Sequence, residues 1–240
     1  MILSPAQRLF VALDTPDLAR AASLARALAA VGCGLKLGLE FFSAQGPEGV
    51  RAVTSAAPDA PLFLDLKFHD IPNTVGAAVR SALPLKPFIL NVHASGGPAM
   101  MAAAVEASRE ASPRPLVIAV TVLTSLDDVD LKSVGQSGPT ENQVLRLGRL
   151  AREAKLDGIV CSAQEAETLR AALGPDFKLI VPGIRPAGSA VGDQKRVMGP
   201  KEAIRAGADF LVVGRPITEA SDPVAAARAI IADIGAAIGK

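Results

Sequence analysis

Short apolar segments alternate with Ala-rich helical patterns eight times along the chain, and this alternation limits the possible folds more than any other feature. Apolar segments separated in this way are typical of βα units that build a parallel sheet. Because the eight units follow one another without a long linker or a change in composition, they favour closure into a barrel, which leaves no unpaired sheet edge. We therefore expect residues 1–240 to form a single domain with a (β/α)8 TIM-barrel fold. The predicted strands cover residues 9–13, 34–39, 62–66, 88–92, 116–122, 158–161, 179–181 and 210–213, and the clearest helical patterns cover residues 17–31, 74–83, 98–111, 141–154 and 223–238.

The charge and cysteine content of the chain exclude several classes of partner. The formal net charge is +1, with acids and bases interspersed, which argues against a nucleic acid or an anionic membrane as the main partner. The two cysteines, Cys33 and Cys161, are isolated and lack the spacing of metal ligands, which suits a reducing compartment. No segment approaches the roughly 20 apolar residues of a membrane-spanning helix, and the first residues do not resemble a secretion signal. We expect a cytoplasmic protein that binds neither nucleic acid nor membranes.

Three ionisable residues follow the third apolar segment, within the stretch DLKFHDIPNTV at residues 65–75. Asp65 and Lys67 are two positions apart, so in a strand their side chains point to the same face as a close pair of opposite charge. Asp70 falls outside this alternation. It belongs to the loop before the next helix, because Pro72 favours an extended residue before it and suits the first turn of a helix. Asp65 and Lys67 are therefore expected to share the wall of one pocket.

Polar residues also follow the other predicted strands, at the end where a barrel places its active site. Side chains from different strands are expected to meet there, because the carboxyl ends of all the strands open onto one face. A set of structural ion pairs that plugs the barrel mouth is the alternative, but burying several charges for stability alone gains little. We therefore favour a functional site. The candidates are Asp14, Lys36, Asp65, Lys67, His93, Thr121, Thr124, Arg185, Gly214 and Arg215.

Two segments that contain glycine, residues 181–196 and 212–217, predict a phosphate site. They follow the seventh and eighth strands, and barrel loops at these places frequently hold phosphate through backbone N–H groups and an arginine that grips two oxygens. We expect Gln194, Gly214 and Arg215 to be the phosphate ligands. For the first of these loops, a solvated connection without a ligand is the alternative.

Two long segments and three single residues have simpler interpretations. Residues 124–140 and 182–200 are rich in Gly, Pro, Ser and Asp, so both are expected to be loops that cover a substrate. His69 is expected to have a surface or packing role. His93 could orient a lysine or a carboxylate, and a hydrogen-bonded structural histidine is equally consistent with its position. Cys161 is expected to be a small buried apolar residue.

Over residues 9–217 the chain resembles the orotidine 5′-phosphate decarboxylases. The resemblance rests on the motifs VALDTP (11–16), KLG (36–38), DLKFHDIPNTV (65–75), VTVLTS (120–125), VPGIRP (181–186), GDQKR (192–196) and VVGRPI (212–217). The spacing Asp-x-Lys-x-x-Asp alone is less specific, because it also resembles the motif of sugar-phosphate relatives such as 3-keto-L-gulonate 6-phosphate decarboxylase and hexulose-phosphate synthase. The continuation IPNTV and the GDQKR motif favour the orotidine enzymes.

The resemblance implies a fold, a reaction and a role for each site residue. The reaction would convert orotidine 5′-phosphate to UMP and CO2 with no cofactor and no metal, in a homodimer to which the neighbouring subunit contributes two residues. For the pyrimidine contact, Thr121 and Ser125 compete with the implied residue. The implied roles are an alternating catalytic tetrad of Lys36, Asp65, Lys67 and Asp70; Asp70 and Thr74 acting across the dimer interface; Asp14 and Lys36 on the ribose hydroxyls; Thr124 on the pyrimidine ring; Gln194, Gly214 and Arg215 on the 5′-phosphate; and Arg185 on the closing loop.

Two other functions fit parts of the pattern. A metal-dependent sugar-phosphate lyase or decarboxylase on the same barrel would need Mg²⁺, with which Lys36 and Lys67 would compete for the acids. A non-catalytic protein that binds nucleotide phosphates would need Arg215 and Gln194 but has little use for two acids that face two lysines. In the decarboxylase interpretation, Lys67 stabilises the C6 carbanion and then protonates it, while Asp65 faces the departing carboxylate.

Overall fold

Eight parallel strands close into a barrel in this computed structural model, which describes residues 3–136, 138–186 and 198–239. Each strand pairs with its neighbours in sequence, and β1 closes the barrel against β8. The predicted (β/α)8 fold is therefore confirmed, and every predicted strand is present with small shifts at its ends. The strands are β1 (Leu9–Ala12), β2 (Gly34–Gly38), β3 (Leu62–Phe68), β4 (Ile89–His93), β5 (Leu116–Val120), β6 (Gly158–Val160), β7 (Lys178–Val181) and β8 (Phe210–Val213).

Helices connect the strands on the outside of the barrel. Asp17 begins the first helix by accepting hydrogen bonds from the backbone of Ala19 and Arg20, as is typical of an N-cap. In the described part of the chain the helices are α1 (Leu18–Ala29), α2 (Leu39–Ala56), α3 (Pro72–Ala82), α4 (Pro98–Ser108), α5 (Asp128–Ser133), α6 (Thr140–Glu153), α7 (Ala166–Leu173), α8 (Pro200–Arg205), α9 (Arg215–Thr218) and α10 (Pro223–Ile238). None of them is long and apolar enough to cross a membrane.

The apolar core has two parts, one inside the barrel and one between the strands and the helices. The inner part is built around Phe10, whose ring packs edge to face against the rings of Phe63 and Phe210, with centroid distances of 6.0 Å and 5.7 Å. These rings fill the barrel below its mouth, so the interior is packed rather than hollow. The strand ends that carry the polar candidates lie above this layer.

The segment after β5 differs from the loop predicted for residues 124–140. It contains the short helix α5, which begins after Asp127 and ends at Ser133. Asp127 accepts from the backbone of Val129 and Asp130, while the Asp130 carboxylate accepts from the backbone of Asp127. This reciprocal capping explains how a segment rich in Asp and Ser starts a helix, and it is the reason that the loop prediction was wrong there.

Candidate active site

A cavity of about 650 Å³ lies at the mouth of the barrel, at the carboxyl ends of the strands. Its volume is in the range of small-molecule sites, roughly 300–1,000 Å³. Most of the residues predicted for the site line it, although they come from distant parts of the sequence. They are Asp14, Lys36, Asp65, Lys67, Thr124, Arg185, Gly214 and Arg215.

Four charged side chains in this cavity form a continuous chain of alternating sign. The ammonium group of Lys36 lies 3.0 Å from Asp14 Oδ1 and 3.0 Å from Asp65 Oδ2. The ammonium group of Lys67 lies 2.6 Å from Asp65 Oδ1. Asp65 and Lys67 do share one wall, as their spacing predicted. Each of the two carboxylate oxygens of Asp65 therefore forms an ion pair with a lysine.

Burial and the neighbouring charges shift the pKa values of Asp65 and Lys36 in opposite directions. Burial disfavours the ionised form of Asp65, but the charges of Lys36 and Lys67, with hydrogen bonds from Lys67 and Asn91, outweigh it and hold the pKa of Asp65 at about 2. Burial likewise disfavours the charged form of Lys36, yet the carboxylates of Asp65 and Asp14 raise its pKa above the ordinary value. Both groups are therefore charged at neutral pH.

The acids of the site do not form a metal centre in the part of the chain that the structure describes. No group of three or more His, Cys, Asp or Glu side chains in those residues is placed to hold a metal ion. The carboxylate of Asp65 instead contacts two ammonium groups, and a metal ion would have to displace them.

The backbone of Lys67 is unusual for a residue in a strand. Its φ is 50°, in the left-handed region, which costs a residue with a side chain about 1–2 kcal/mol. The regular pairing of β3 with β4 is interrupted between Leu64 and Phe68, so β3 bulges at this point. The sequence predicted this strand only as far as residue 66, whereas β3 continues through the bulge to Phe68.

Asn91 is a site residue that the sequence analysis missed. It lies on β4 and is 1% exposed. Its side-chain oxygen accepts from the backbone N–H of Lys67 at 2.8 Å, and its side-chain nitrogen donates to Asp65 Oδ1 at 2.7 Å. The available signal was an amide within the apolar segment ILNVH, since a buried amide needs hydrogen-bond partners.

Asp70 and Thr74 do not line this cavity. Both are exposed, Asp70 just before α3 and Thr74 in its first turn, and the Asp70 carboxylate accepts from the backbone N–H of Ile71 at 2.6 Å. Helix α3 begins at Pro72, as the sequence predicted for this proline. The side chains of Asp70 and Thr74 are therefore not assembled with the chain of charges inside one subunit.

Residues that follow β7 and β8 line the cavity: Gly183 and Arg185 after β7, and Gly214 and Arg215 after β8. A Cβ atom on Gly214 would lie 3.5 Å from the Cβ of Ala12, so the backbone of this loop passes close to the end of β1. The third predicted phosphate ligand, Gln194, lies outside the described residues. The described residues of both predicted phosphate loops thus line the same cavity.

Thr124 lines the cavity, whereas its two competitors do not. The hydroxyl of Thr121 is buried and donates to the backbone oxygen of Val160 at 2.8 Å, which gives it a structural partner. Ser125 is exposed. Position therefore favours Thr124 as the residue that could contact a ligand.

The two histidines lie side by side near Lys67. The rings of His69 and His93 have centroids 5.4 Å apart, with His69 exposed and His93 half-buried. Burial, with smaller effects from His69 and Lys67, lowers the pKa of His93. His69 is thus a packing partner at the surface, as predicted. Cys161 is fully buried in the apolar core, which also agrees with its prediction.

Three charged residues extend the cavity beyond the predicted set. Arg20 of α1, Glu40 of α2 and Glu219 after α9 also line it. Arg20 also donates to the backbone oxygen of Thr218 at 3.5 Å. The pattern of polar residues at strand ends does not include them, because they lie on or beside helices.

Comparisons with known proteins agree with this geometry. The sequence model of the Orotidine 5′-phosphate decarboxylase / HUMPS family matches residues 7–230. An orotidine 5′-phosphate decarboxylase of Rhodospirillum rubrum is 55% identical over 230 residues, which cover 94% of this chain and 93% of the relative. One from Anaeromyxobacter sp. is 54% identical over 232 residues, 97% of this chain and 100% of the relative. The crystal structure of orotidine 5′-phosphate decarboxylase from Lactobacillus acidophilus is similar with a TM-score of 0.83 and 35% identity, and the match covers 95% of this chain and 99% of that one. As its motifs predicted, the chain belongs to the orotidine 5′-phosphate decarboxylase / HUMPS family.

Proposed function

We propose that the protein decarboxylates orotidine 5′-phosphate to UMP and CO2, a step of pyrimidine biosynthesis, with no cofactor and no metal. The observation that carries the proposal is the chain of alternating charges, Asp14, Lys36, Asp65 and Lys67, in a cavity of nucleotide size. Relatives that are more than half identical over nearly the whole chain carry the name of this activity, which supports the same conclusion. Residues 1–240 act as one catalytic domain in the cytoplasm, without nucleic-acid or membrane partners.

Lys67 performs the central step of the proposed mechanism. Loss of CO2 from C6 of the substrate leaves an electron pair on an sp2 carbon. In the proposed mechanism no cofactor delocalises this electron pair. The ammonium group of Lys67 is held in place before substrate arrives by its 2.6 Å contact with Asp65. A preorganised cation of this kind stabilises the developing negative charge, and it can then donate the proton that completes UMP.

Asp65 faces the carboxylate that leaves. Because its pKa is held at about 2, it is ionised when the substrate binds. Two negative charges 4 Å apart repel each other by about 4 kcal/mol at an effective dielectric of 20, and this repulsion disappears as neutral CO2 forms. The repulsion assists the reaction only if other contacts of the substrate offset it on binding.

Those other contacts come from the rest of the nucleotide. Asp14 and Lys36 hold the ribose hydroxyls, and Thr124 contacts the pyrimidine ring. Gly214 and Arg215 hold the 5′-phosphate together with Gln194, and Arg185 belongs to the loop that closes over it. Phosphate binding at a distance from C6 helps catalysis when it drives closure around the reacting carbon.

Asp70 and Thr74 act in the site of a neighbouring subunit. Their exposed positions at the start of α3, outside the cavity of their own chain, support this role. In a homodimer the same patch of each subunit would face the other, so each Asp70 would complete the partner's tetrad.

The decisive experiment is an absorbance assay with orotidine 5′-phosphate, run with and without EDTA. We expect the ultraviolet spectrum of the substrate to convert to that of UMP at the same rate in both conditions. Loss of activity with EDTA would instead indicate a metal-dependent lyase. Binding of UMP without any turnover of orotidine 5′-phosphate would indicate a nucleotide-binding protein.

A further inference from the structure

We propose that Asn91 is a positioning residue that directs the ammonium group of Lys67 toward the reacting carbon. This inference rests on the proposed function. The single side-chain amide of Asn91 contacts both members of the central ion pair, the backbone N–H of Lys67 and the carboxylate of Asp65. It reaches them from a different strand, β4, and it is almost completely buried.

The bulge in β3 explains why Lys67 needs a partner of this kind. Pairing of β3 with β4 is regular up to Leu64 with Leu90 and resumes at Phe68 with Val92, so residues 65–67 face Asn91 alone. At Lys67 the chain takes a left-handed conformation, and its N–H donates to the Asn91 side chain rather than to a β4 carbonyl. The amide of Asn91 thereby stabilises the backbone turn from which the Lys67 side chain extends.

The hydrogen bonds also fix the orientation of the Asn91 amide. If its oxygen and nitrogen exchanged places, the NH2 group would face the N–H of Lys67 and the oxygen would face the carboxylate of Asp65. Both contacts would be repulsive, so only one orientation satisfies the two neighbours.

Together these contacts close a ring of three residues. The Lys67 backbone donates to Asn91, Asn91 donates to Asp65 Oδ1, and the same oxygen accepts from Lys67 Nζ at 2.6 Å. The ring holds the lysine at both ends, its backbone and its ammonium group. A cation held in this way has little freedom to reorient, which is what stabilisation of a transient carbanion requires.

The first test compares Asn91→Ala with Ser108→Ala. Ser108 is also buried, and its hydroxyl donates to the backbone oxygen of Val105 at 2.7 Å. It lies on α4 and does not line the cavity, so its variant reports the effect of losing an ordinary buried hydrogen bond. We expect Asn91→Ala to lower kcat about 100-fold, as for a misplacement of about 1 Å, while KM changes by less than about fivefold. Ser108→Ala should keep the wild-type kcat. A wild-type kcat in Asn91→Ala would overturn the proposal.

The second test uses Asn91→Asp, which keeps the shape of the side chain. When protonated, the introduced carboxyl accepts a hydrogen bond from the Lys67 N–H and donates one to Asp65, as the amide does. When ionised, it faces the carboxylate of Asp65 and the ring opens. Because the introduced carboxyl is buried beside the carboxylate of Asp65, we expect it to lose its proton at a higher pH than an exposed Asp does.

The kcat of Asn91→Asp should therefore be highest at low pH and fall as the pH rises, whereas kcat of Asn91→Ala stays low throughout. The other titratable groups nearby are Asp14 after β1, Lys36 on β2, Lys67 and the following His69 on the β3 side, and His93 on β4. On β5, Ile118 lies opposite Asn91. They are present in the wild-type protein as well, whose pH profile is the reference.

The outcomes separate this inference from the proposed function. A wild-type protein that leaves orotidine 5′-phosphate unchanged would remove the proposed function. An active wild-type protein whose Asn91→Asp variant follows the wild-type pH profile would leave that function intact and overturn the role of Asn91. If Asn91→Ala does not fold, the Asn91→Asp profile still decides between the two results.

Discussion

At the scale of single residues, Asp65 is the point where the charges of the site converge. It is buried, and its two oxygens receive Lys36, Lys67 and the amide of Asn91. Removing one partner leaves a buried charge without compensation, which is far more costly than the loss of a surface ion pair. The stability of the protein should therefore depend on the ionisation of Asp65.

We expect this dependence in the acid range. The pKa of Asp65 falls from 3.8 to about 2 on folding, so its contribution to stability is complete above about pH 4 and is lost as the pH falls toward 2. Its size is on the order of 2 kcal/mol. Urea unfolding at several pH values between 5 and 2 should show a shallower loss of stability in Asp65→Asn than in the wild type. Asp59→Asn, at an exposed position, should follow the wild type. Equal slopes in all three proteins would contradict the assignment.

Replacement of Lys67 should abolish activity while the protein still folds. We expect Lys67→Ala to lower kcat for orotidine 5′-phosphate by more than about 10³-fold, because both the cation and the proton donor are lost. Lys86→Ala is a matched control, since Lys86 is exposed, lies outside the cavity and has almost the same left-handed φ, 51°. Far-ultraviolet circular dichroism of both variants should match the wild type. Substantial turnover by Lys67→Ala would show that another group protonates C6.

At the scale of elements, strands and their following loops could be predicted to different extents. The strands follow from apolar segments of about five residues. Asp65 and Lys67 share one wall of the cavity as predicted, although β3 is irregular at these residues. The bulge in β3 could not be predicted, because it depends on a partner side chain from β4. The loops after β7 and β8 were predicted as a phosphate site from their glycines and arginines, and Gly183, Arg185, Gly214 and Arg215, among their described residues, line the cavity.

The role of these loops can be tested with Arg215→Ala. We expect kcat/KM for the whole nucleotide to fall by about 100-fold or more, because a bidentate contact to phosphate is lost. Added phosphite should accelerate turnover of the phosphate-free nucleoside by the wild type, and much less by Arg215→Ala. Arg26→Ala, an exposed arginine of α1, is the control. Unchanged kinetics in Arg215→Ala would remove the residue from the phosphate site.

At the scale of the whole molecule, closure of the barrel and assembly of subunits have different parts in the site. Closure places β1 beside β2 and β8, so that Asp14 reaches Lys36 and lies next to Gly214. It does not bring Asp70 into the same cavity. The proposed tetrad therefore needs a second copy of the chain.

Mixing two inactive variants tests this requirement. In a mixed dimer of Lys67→Ala and Asp70→Ala subunits, one of the two sites has every residue. Random exchange between equal amounts of the two proteins makes half of the dimers mixed, so about a quarter of the wild-type activity should return. A mixture of Lys67→Ala with Asp65→Ala is the control, because both residues belong to the same cavity of one chain and no site is restored. Failure of the first mixture to regain activity after unfolding and refolding together would argue for sites built within single chains.

The sequence by itself determined the barrel, the set of strand-end residues and the family, because apolar periodicity and motif spacing are local properties of the chain. It could not determine which charges touch, since Lys36 meets Asp14 and Asp65 only when three strands are placed side by side. Nor could it identify Asn91, whose importance comes from a bulge in the neighbouring strand. Contacts between strands depend on register and closure, so the tertiary structure alone decided how the charges are ordered and what holds Lys67 in place.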